Sequence, residues 1–285
     1  MYVLCSPCIL KPALRARGIT KPADLDLFER CIERCKRFGI EMVPLPCPET
    51  LYLGLDRKPG TFLERLNTPE FASLIDDLVV QVEDIIVERG PPLCILGVNS
   101  SPTCGITSTF YGSINEEPPK RTARGVFLAR FPKIKAIDVM TFSQYRIYLA
   151  APLFSQGERA YNLSIARSLR NNFFDVFLPQ ETGDDSHTRD KEKQSRIFSE
   201  NLKALEKSDI IVAVIEGADA DSGTVWEMGY AYAQGKQVFA LRTDFRRVGM
   251  YEKVNLMLEE SAKIVTSTTE LLEAIKSSLL DKKNV

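Results

Sequence analysis

The chain has 285 residues, 44% hydrophobic and 26% charged, which supplies apolar material for two ordinary cores and excludes a disordered polymer. A formal net charge of -1 gives no general attraction for a polyanion, and no Lys/Arg run reads as a nucleic-acid footprint. A small-molecule partner is therefore expected, not a nucleic acid polymer.

The first residues, MYVLCSPCIL, lack a basic n-region and a small-residue cleavage site, and no apolar stretch approaches the roughly 20 residues of a bilayer span. A soluble cytoplasmic protein with no membrane partner is expected. All seven cysteines lie in the first 104 residues. In a reducing compartment they read as metal ligands, reactive thiols or core filling rather than disulfides.

Along the first half, β-rich runs at Tyr2 to Leu4, Glu41 to Leu45 and Leu93 to Val98 alternate with helical patterns. Phe28, Cys31, Ile32 and Cys35 recur at i, i+3, i+4, i+7, as do Phe71, Leu74, Ile75 and Leu78. The polar stretch Tyr111 to Arg124 reads as a loop, after which Gly125 to Ile137 resumes a helix-then-strand pattern. A boundary near Thr141 to Tyr145 gives domains 1–143 and 144–285, each a parallel-sheet α/β layer.

The second half predicts five strands: Ile147 to Ala151, Asp175 to Leu178, Ile210 to Ile215, Val238 to Leu241 and Lys263 to Val265. Helices are predicted at Gln156 to Asn171, Ser195 to Lys207, Thr224 to Gln234 and Glu270 to Leu280, with Phe198, Leu202 and Leu205 on one face of the second. Five strands with intervening helices imply a doubly wound Rossmann-like or flavodoxin-like sheet, with ligands at the carboxyl ends of the strands.

The loop and helix after the third of these strands, EGADADSGTVWEMGYAYAQGK, bring Asp219 and Asp221 just ahead of a helix start and Glu227 into its first turn. On spacing alone the stronger reading is a capping box, Thr224-x-x-Glu227, with acids favoured by the helix dipole. Ser222 and Gly223 read as a turn and N-cap or as a phosphate cradle. Phe154 and Trp226 read as core or as stacking partners for a base. Arg242, Asp244 and Arg246 read as a rim after the fourth strand. His187, in TGDDSHTRDKEK, reads as a solvated loop histidine beside the site.

The strings YLAAPLFSQGERAYN, ENLKALEKSDIIVAVIEG and DADSGTVWEMGYAYAQGKQVFALRTDFR resemble the nucleoside 2-deoxyribosyltransferase family in order and spacing. That resemblance implies an N-glycosidic chemistry that needs no cofactor, a nucleoside or nucleobase substrate and a homo-oligomer. It implies Glu227 as nucleophile, Asp221 as the acid that manages the proton on the departing base, and Tyr148 as the hydroxyl that orients the nucleophile. Asn201 falls where the family has an aspartate that binds base or sugar; an amide can hydrogen-bond there but cannot titrate. The implied reaction stabilises and then captures an oxocarbenium-like centre on a carboxylate, as in retaining glycosidases. The alternatives are a nucleoside 5'-monophosphate hydrolase and a non-catalytic nucleotide-binding module.

In the first half, Cys31, Cys35 and Cys94 read as core and Cys5 is ambiguous. Cys8, Cys47 and Cys104 each follow a predicted strand, one thiol per strand-end loop, where a parallel sheet can bring them to one edge. Three thiolates suit an iron-sulfur cluster with one iron left open or a zinc with a fourth ligand elsewhere. Unliganded thiols are the simpler reading of the spacing, since Cys5-x-x-Cys8 has no second CxxC pair to complete a zinc-finger spacing. The elements SPCIL, CPET...DRKP, SSPTCG and YG...GVF resemble the domain family that includes thiouracil desulfurases. This resemblance implies a [4Fe-4S] cluster on Cys8, Cys47 and Cys104, with Glu49 and Ser101 assisting a thiolated base.

Overall fold

The structure is a computed structural model that describes residues 1–112, 120–182, 190–247, 249 and 252–281. The chain divides into two compact units, Met1–Ser143 and Gln144–Val285. His187 lies outside the described residues. No helix among the described residues is long and apolar enough to cross a membrane.

The first unit runs β1 (Tyr2–Cys5), α1 (Pro22–Arg37), β2 (Glu41–Pro44), α2 (Pro48–Leu53), α3 (Phe62–Arg65), α4 (Pro69–Arg89), β3 (Ile95–Gly97), β4 (Thr109–Phe110), β5 (Lys120–Arg121), β6 (Ala136–Asp138) and α5 (Val139–Ser143). The four-stranded sheet has the order β2-β1-β3-β6 and is parallel throughout. Strand alternation divides its side chains. Tyr2 and Leu4 enter a cluster with Phe71, Ile75, Leu78 and Val82 of α4, while Val3 and Cys5, also buried, point to the opposite face. Phe28, Cys31 and Cys35 form the buried stripe of α1, as their helical spacing predicts. The stretch expected to be loop from Tyr111 contributes β5, which pairs antiparallel with β4. Two-residue strands have too few positions for a period-2 signal.

The second unit runs β7 (Arg146–Ala150), α6 (Gln156–Asn171), β8 (Asp175–Phe177), α7 (Lys191–Lys207), β9 (Ile210–Val214), α8 (Ser222–Ala233), β10 (Gln237–Leu241), α9 (Leu256–Ser261), β11 (Lys263–Val265) and α10 (Thr268–Asp281). Its five-stranded sheet has the order β11-β10-β9-β7-β8, with every pairing parallel. Counted within the unit this is 2-1-3-4-5, the flavodoxin-like order. All five residues of β9, IIVAV, are buried, as a strand covered on both faces requires. Strand order reverses between β7 and β9. The loops leaving these neighbours diverge there and open a crevice at their carboxyl ends.

Candidate functional site

At that crevice the phenol of Tyr148, from the middle of β7, donates a hydrogen bond to Glu227 Oε1 on α8. The Tyr148 ring is fully buried and stacks on Phe177 of β8 with centroids 5.5 Å apart. Packing therefore fixes the direction of the hydroxyl. Burial pushes the Glu227 carboxyl up to about 7; the Tyr148 hydrogen bond opposes that rise and the charge of Asp221 adds to it. Burial is also the largest cause raising the Tyr148 phenol, ahead of the neighbouring carboxylate. Near neutrality the pair is a phenol donating to a carboxyl poised between its two protonation states.

The helix carrying Glu227 starts two residues before the expected Thr224. Its N-cap is Asp221, whose Oδ2 accepts from Thr224 N at 2.9 Å and from Thr224 Oγ1 at 3.1 Å. Glu227 therefore sits in the second turn, and the capping box read from Thr224-x-x-Glu227 does not form. Both Asp221-x-x-Thr224 and Thr224-x-x-Glu227 fit cap spacings, and only the fold chooses between them. Glu227 is left free of helix capping and is bonded to another strand.

The loop between β9 and α8 is held from outside. Arg242, buried at the end of the segment that begins as β10, donates through Nη1 to the carbonyls of Ile215 (3.1 Å) and Gly217 (2.6 Å) and through Nη2 to that of Arg246 (3.1 Å). Glu216 reciprocates, accepting from the backbone N–H groups of Thr243 at 2.8 Å and Asp244 at 3.0 Å. Arg242 was expected at the rim; its guanidinium is spent on backbone carbonyls instead. Arg246 pairs with Asp244, which is thereby held at about 2.

Beside Glu227 lies a cavity of about 350 Å³ lined by Phe198, Asn201, Leu202 and Leu205 from α7 and Gly223 and Trp226 from α8. Asn201 Oδ1 is buried there without a hydrogen-bond partner among the described residues. Trp226 is half-exposed, stacked on Tyr230 at 5.4 Å and tilted against Phe198 at 5.9 Å. Phe198, Leu202 and Leu205, expected on one face of their helix, line this cavity together. Asp219 and Phe154 on the surrounding loops and Ser222 at the start of α8 are exposed and are not among the lining residues.

In the first unit the three strand-end cysteines come to one edge. Cys8 lies in a one-turn helix started by Pro7 directly after β1, Cys47 is the residue before Pro48 at the start of α2, and Cys104 follows β3. All three are free thiols. Burial pushes Cys8 up to about 12, with Cys47 adding and Arg15 opposing. Cys104 is raised mainly by burial, with Cys47 and then Cys8 contributing. Cys47 is thus near both Cys8 and Cys104, and Cys8 is near Cys104, yet no three His, Cys, Asp or Glu side chains among the described residues are grouped to hold a metal ion. A single ion needs all its donors in one coordination sphere, whereas a cluster carries each thiolate on a different iron and so accepts a wider triangle. Ser6 is fully buried and its Oγ has no hydrogen-bond partner of ordinary geometry among the described residues, while its side chain is within reach of the Cys104 thiol; it is the kind of donor a sulfur-rich group would use. The donor set fits a cluster with three cysteine ligands.

Glu49 and Ser101, both expected here, bond to each other. Glu49 Oε1 accepts from Ser101 Oγ at 3.0 Å and from Thr103 Oγ1 at 2.9 Å, and Ser101 Oγ accepts from Cys104 N at 3.0 Å. Sequence reasoning missed Arg57. Only 5% exposed, it donates to Leu14 O (2.7 Å), to Thr50 Oγ1 (3.0 Å) and to Glu49 Oε2 (3.5 Å). It thereby ties the Cys8 loop to the Cys47 helix, and Glu49 extends the tie to the Cys104 loop. DRKP gives the only signal, a lone arginine in an otherwise unpatterned loop. The Cys104 loop is shaped by Asn99, whose Oδ1 accepts from Ile106 N and Thr107 N at 3.1 Å each.

That loop folds back on β3 so closely that a Cβ at Gly97 would stand 2.4 Å from the Cys104 carbonyl oxygen. Gly97→Ala is expected to destabilise the protein by about 1–3 kcal/mol, the range for an overpacked site. Urea denaturation checks this; an unchanged midpoint would show that the loop yields freely.

Residues 147–266 match the model of the family described as nucleoside 2-deoxyribosyltransferase. Residues 1–154 match that of the family described as "Putative 2-thiouracil desulfurase". An uncharacterised protein of Ureaplasma parvum serovar 3 is 32% identical over 115 residues, which cover 35% of this chain and 72% of that protein. Among solved structures, a conserved protein from Enterococcus faecalis V583 is 31% identical, with a TM-score of 0.41, over 47% of this chain and 99% of its own. The 2-deoxyribosyltransferase of Bacillus psychrosaccharolyticus is 25% identical, with a TM-score of 0.42, over 47% of this chain and 95% of its own.

Proposed function

The chain belongs to the family described as "Putative 2-thiouracil desulfurase", matched over 1–154 of its 285 residues, with a nucleoside 2-deoxyribosyltransferase match behind it, and from this premise we propose an enzyme of nucleoside and nucleobase conversion. Its second unit cleaves an N-glycosidic bond, and its first removes sulfur from a thiolated base. The observation that carries the first half of this reading is the Tyr148 hydroxyl bonded to a half-buried Glu227 at the carboxyl edge of a doubly wound sheet.

In the second unit, the Glu227 carboxylate attacks the anomeric carbon as the bond to the base breaks, and the bonding pair leaves with the base. Asp221 supplies a proton to that base from the oxygen not engaged in capping. The product is a glycosyl ester on Glu227, which a second base or water resolves at the same carbon with retention. Tyr148 holds the carboxylate in line and sheds its hydrogen bond onto the ester oxygen. Asn201 Oδ1 accepts an N–H or O–H of the ligand. No cofactor takes part. Phe198 and Trp226 leave the cavity open to solvent, and we assign its closure to a second copy of the chain.

In the first unit, Cys8, Cys47 and Cys104 would hold a [4Fe-4S] cluster, whose remaining iron supplies, when bound, a Lewis acid for the sulfur of a thiolated base. Glu49, Ser101 and Thr103 position that base at the mouth of the site. The overall conversion, thiocarbonyl plus water to carbonyl plus hydrogen sulfide, is balanced without an oxidant or reductant.

Incubation with a panel of deoxynucleosides and an acceptor base, read by chromatography, tests base release; an absence of new nucleoside and of free base across the panel rejects it. Sugar appearing on water rather than on the base favours the hydrolase. The raised carboxyl of Glu227 gives a second expectation. Only the ionised form attacks, so kcat/KM falls about tenfold per pH unit below about 7. Tyr148→Phe removes the bond that holds this carboxyl down and moves the acid limb to higher pH. A pH–rate profile with the limb unmoved would separate the tyrosine from the nucleophile.

A further inference from the structure

Three hydroxyls stand around the thiols of the first unit, each within reach of a cysteine sulfur. Thr50 Oγ1 lies 3.1 Å from Cys47 Sγ and 3.3 Å from the Leu14 carbonyl. It already accepts from Arg57, so its own proton must go to one of these two. Thr103 Oγ1 lies 3.5 Å from Cys104 Sγ and 2.9 Å from Glu49 Oε1, a choice of the same kind. Ser6 is fully buried, its Oγ has no hydrogen-bond partner of ordinary geometry among the described residues, and its side chain is within hydrogen-bonding reach of the Cys104 thiol.

A neutral thiol is a weak acceptor, so the protons of Thr50 and Thr103 rest on a carbonyl and a carboxylate. A ligated thiolate or sulfide is electron-rich and competes for them. We propose that Ser6, Thr50 and Thr103 are positioning residues that donate hydrogen bonds to the ligated sulfurs of a centre on Cys8, Cys47 and Cys104, fixing its reduction potential and its hold on iron. Arg57 and Glu49 set two of the three donors, because one donates to Thr50 and the other draws Thr103 toward the site. A hydrogen bond to sulfur withdraws electron density and favours the reduced form, so each lost donor lowers the potential. This inference rests on the cluster reading above and adds to it which side chains govern the cluster's properties.

The test uses the full chain, reconstituted anaerobically with ferrous iron and sulfide. The midpoint potential is read by dye-mediated titration, and cluster stability by the rate of iron loss to a chelator. Ser6→Ala and Thr50→Val are each expected to lower the potential and to speed iron loss about tenfold, the lower end for outer-shell partners of a metal site. Thr50→Ser and Ser6→Thr keep the hydroxyl and are expected to stay close to wild type. Loaded Ser6→Ala and Thr50→Val proteins with wild-type potential and wild-type iron loss overturn the proposal while leaving the cluster reading intact. If a hydroxyl-free variant does not load, the result supports the proposal when its hydroxyl-bearing counterpart loads and counts against it when both fail. A wild-type chain that takes up no iron and sulfide removes the cluster reading itself and this inference with it.

Discussion

Glu227→Ala is expected to lose about 10⁶-fold in the rate of base release, the scale seen when a covalent nucleophile is removed, with no change in sulfide release from free 2-thiouracil. Mass spectrometry of the wild-type chain under turnover is expected to find a pentose adduct on the peptide that contains Glu227. The stability of the variant tells chemistry from misfolding. Burial raises the Glu227 carboxyl to about 7 from an ordinary 4.5, so the native state holds its proton more tightly than the unfolded state between those values. Native stability therefore declines as pH climbs through that window and levels off above it. Glu227→Gln removes this burden and is expected to unfold at a higher temperature than wild type at pH 8, with the advantage gone at pH 4. An inactive variant that gains stability only above the window is what a buried, ionisable nucleophile gives. A variant that is active, or destabilised at every pH, assigns the residue to packing.

Cys104→Ser is expected to reduce sulfide release from 2-thiouracil to background and to prevent retention of iron, while base release by the second unit stays within twofold of wild type. Serine keeps the size of the side chain, so the backbone folded against Gly97 is preserved and only the sulfur is lost. The two variants together order the steps on a thiolated deoxynucleoside. If glycosidic cleavage comes first, Glu227→Ala releases no sulfide from the nucleoside although it still does so from the free base. Cys104→Ser then accumulates the thiolated base. Sulfide release from the nucleoside by Glu227→Ala reverses the order. Sulfide production by Cys104→Ser removes the thiol centre from the reaction.

The second unit was legible because its three central strands are apolar runs buried on both faces, and a run such as Ile210 to Ile215 has no competing reading between turn signals. The start of α8 was misread because two overlapping cap patterns compete over seven residues; the winner depends on where β9 delivers the chain. In the first unit, one thiol after each strand was visible by counting, and the sheet order explains why they meet. Arg57, Thr50 and Thr103 left no trace of that kind. Their partners lie far away in sequence, Leu14 being 43 residues from Arg57, and a solitary polar residue in a loop carries no periodicity. Arg242 was misplaced for a related reason, since a basic residue after a strand looks the same from sequence whether it faces a ligand or backbone carbonyls.

The mutual grip of Arg242 and Glu216 has a consequence for anyone who wishes to re-engineer the second unit. Grafting a relative's segment in place of residues 216–221 alone removes the carboxylate to which the Thr243 and Asp244 N–H groups donate. Grafting the neighbouring segment from 242 to 246 alone removes the guanidinium on which the Ile215 and Gly217 carbonyls rest. The two segments behave as a single cassette. Chimeras that exchange both together should keep their fold, whereas either half-exchange should express poorly.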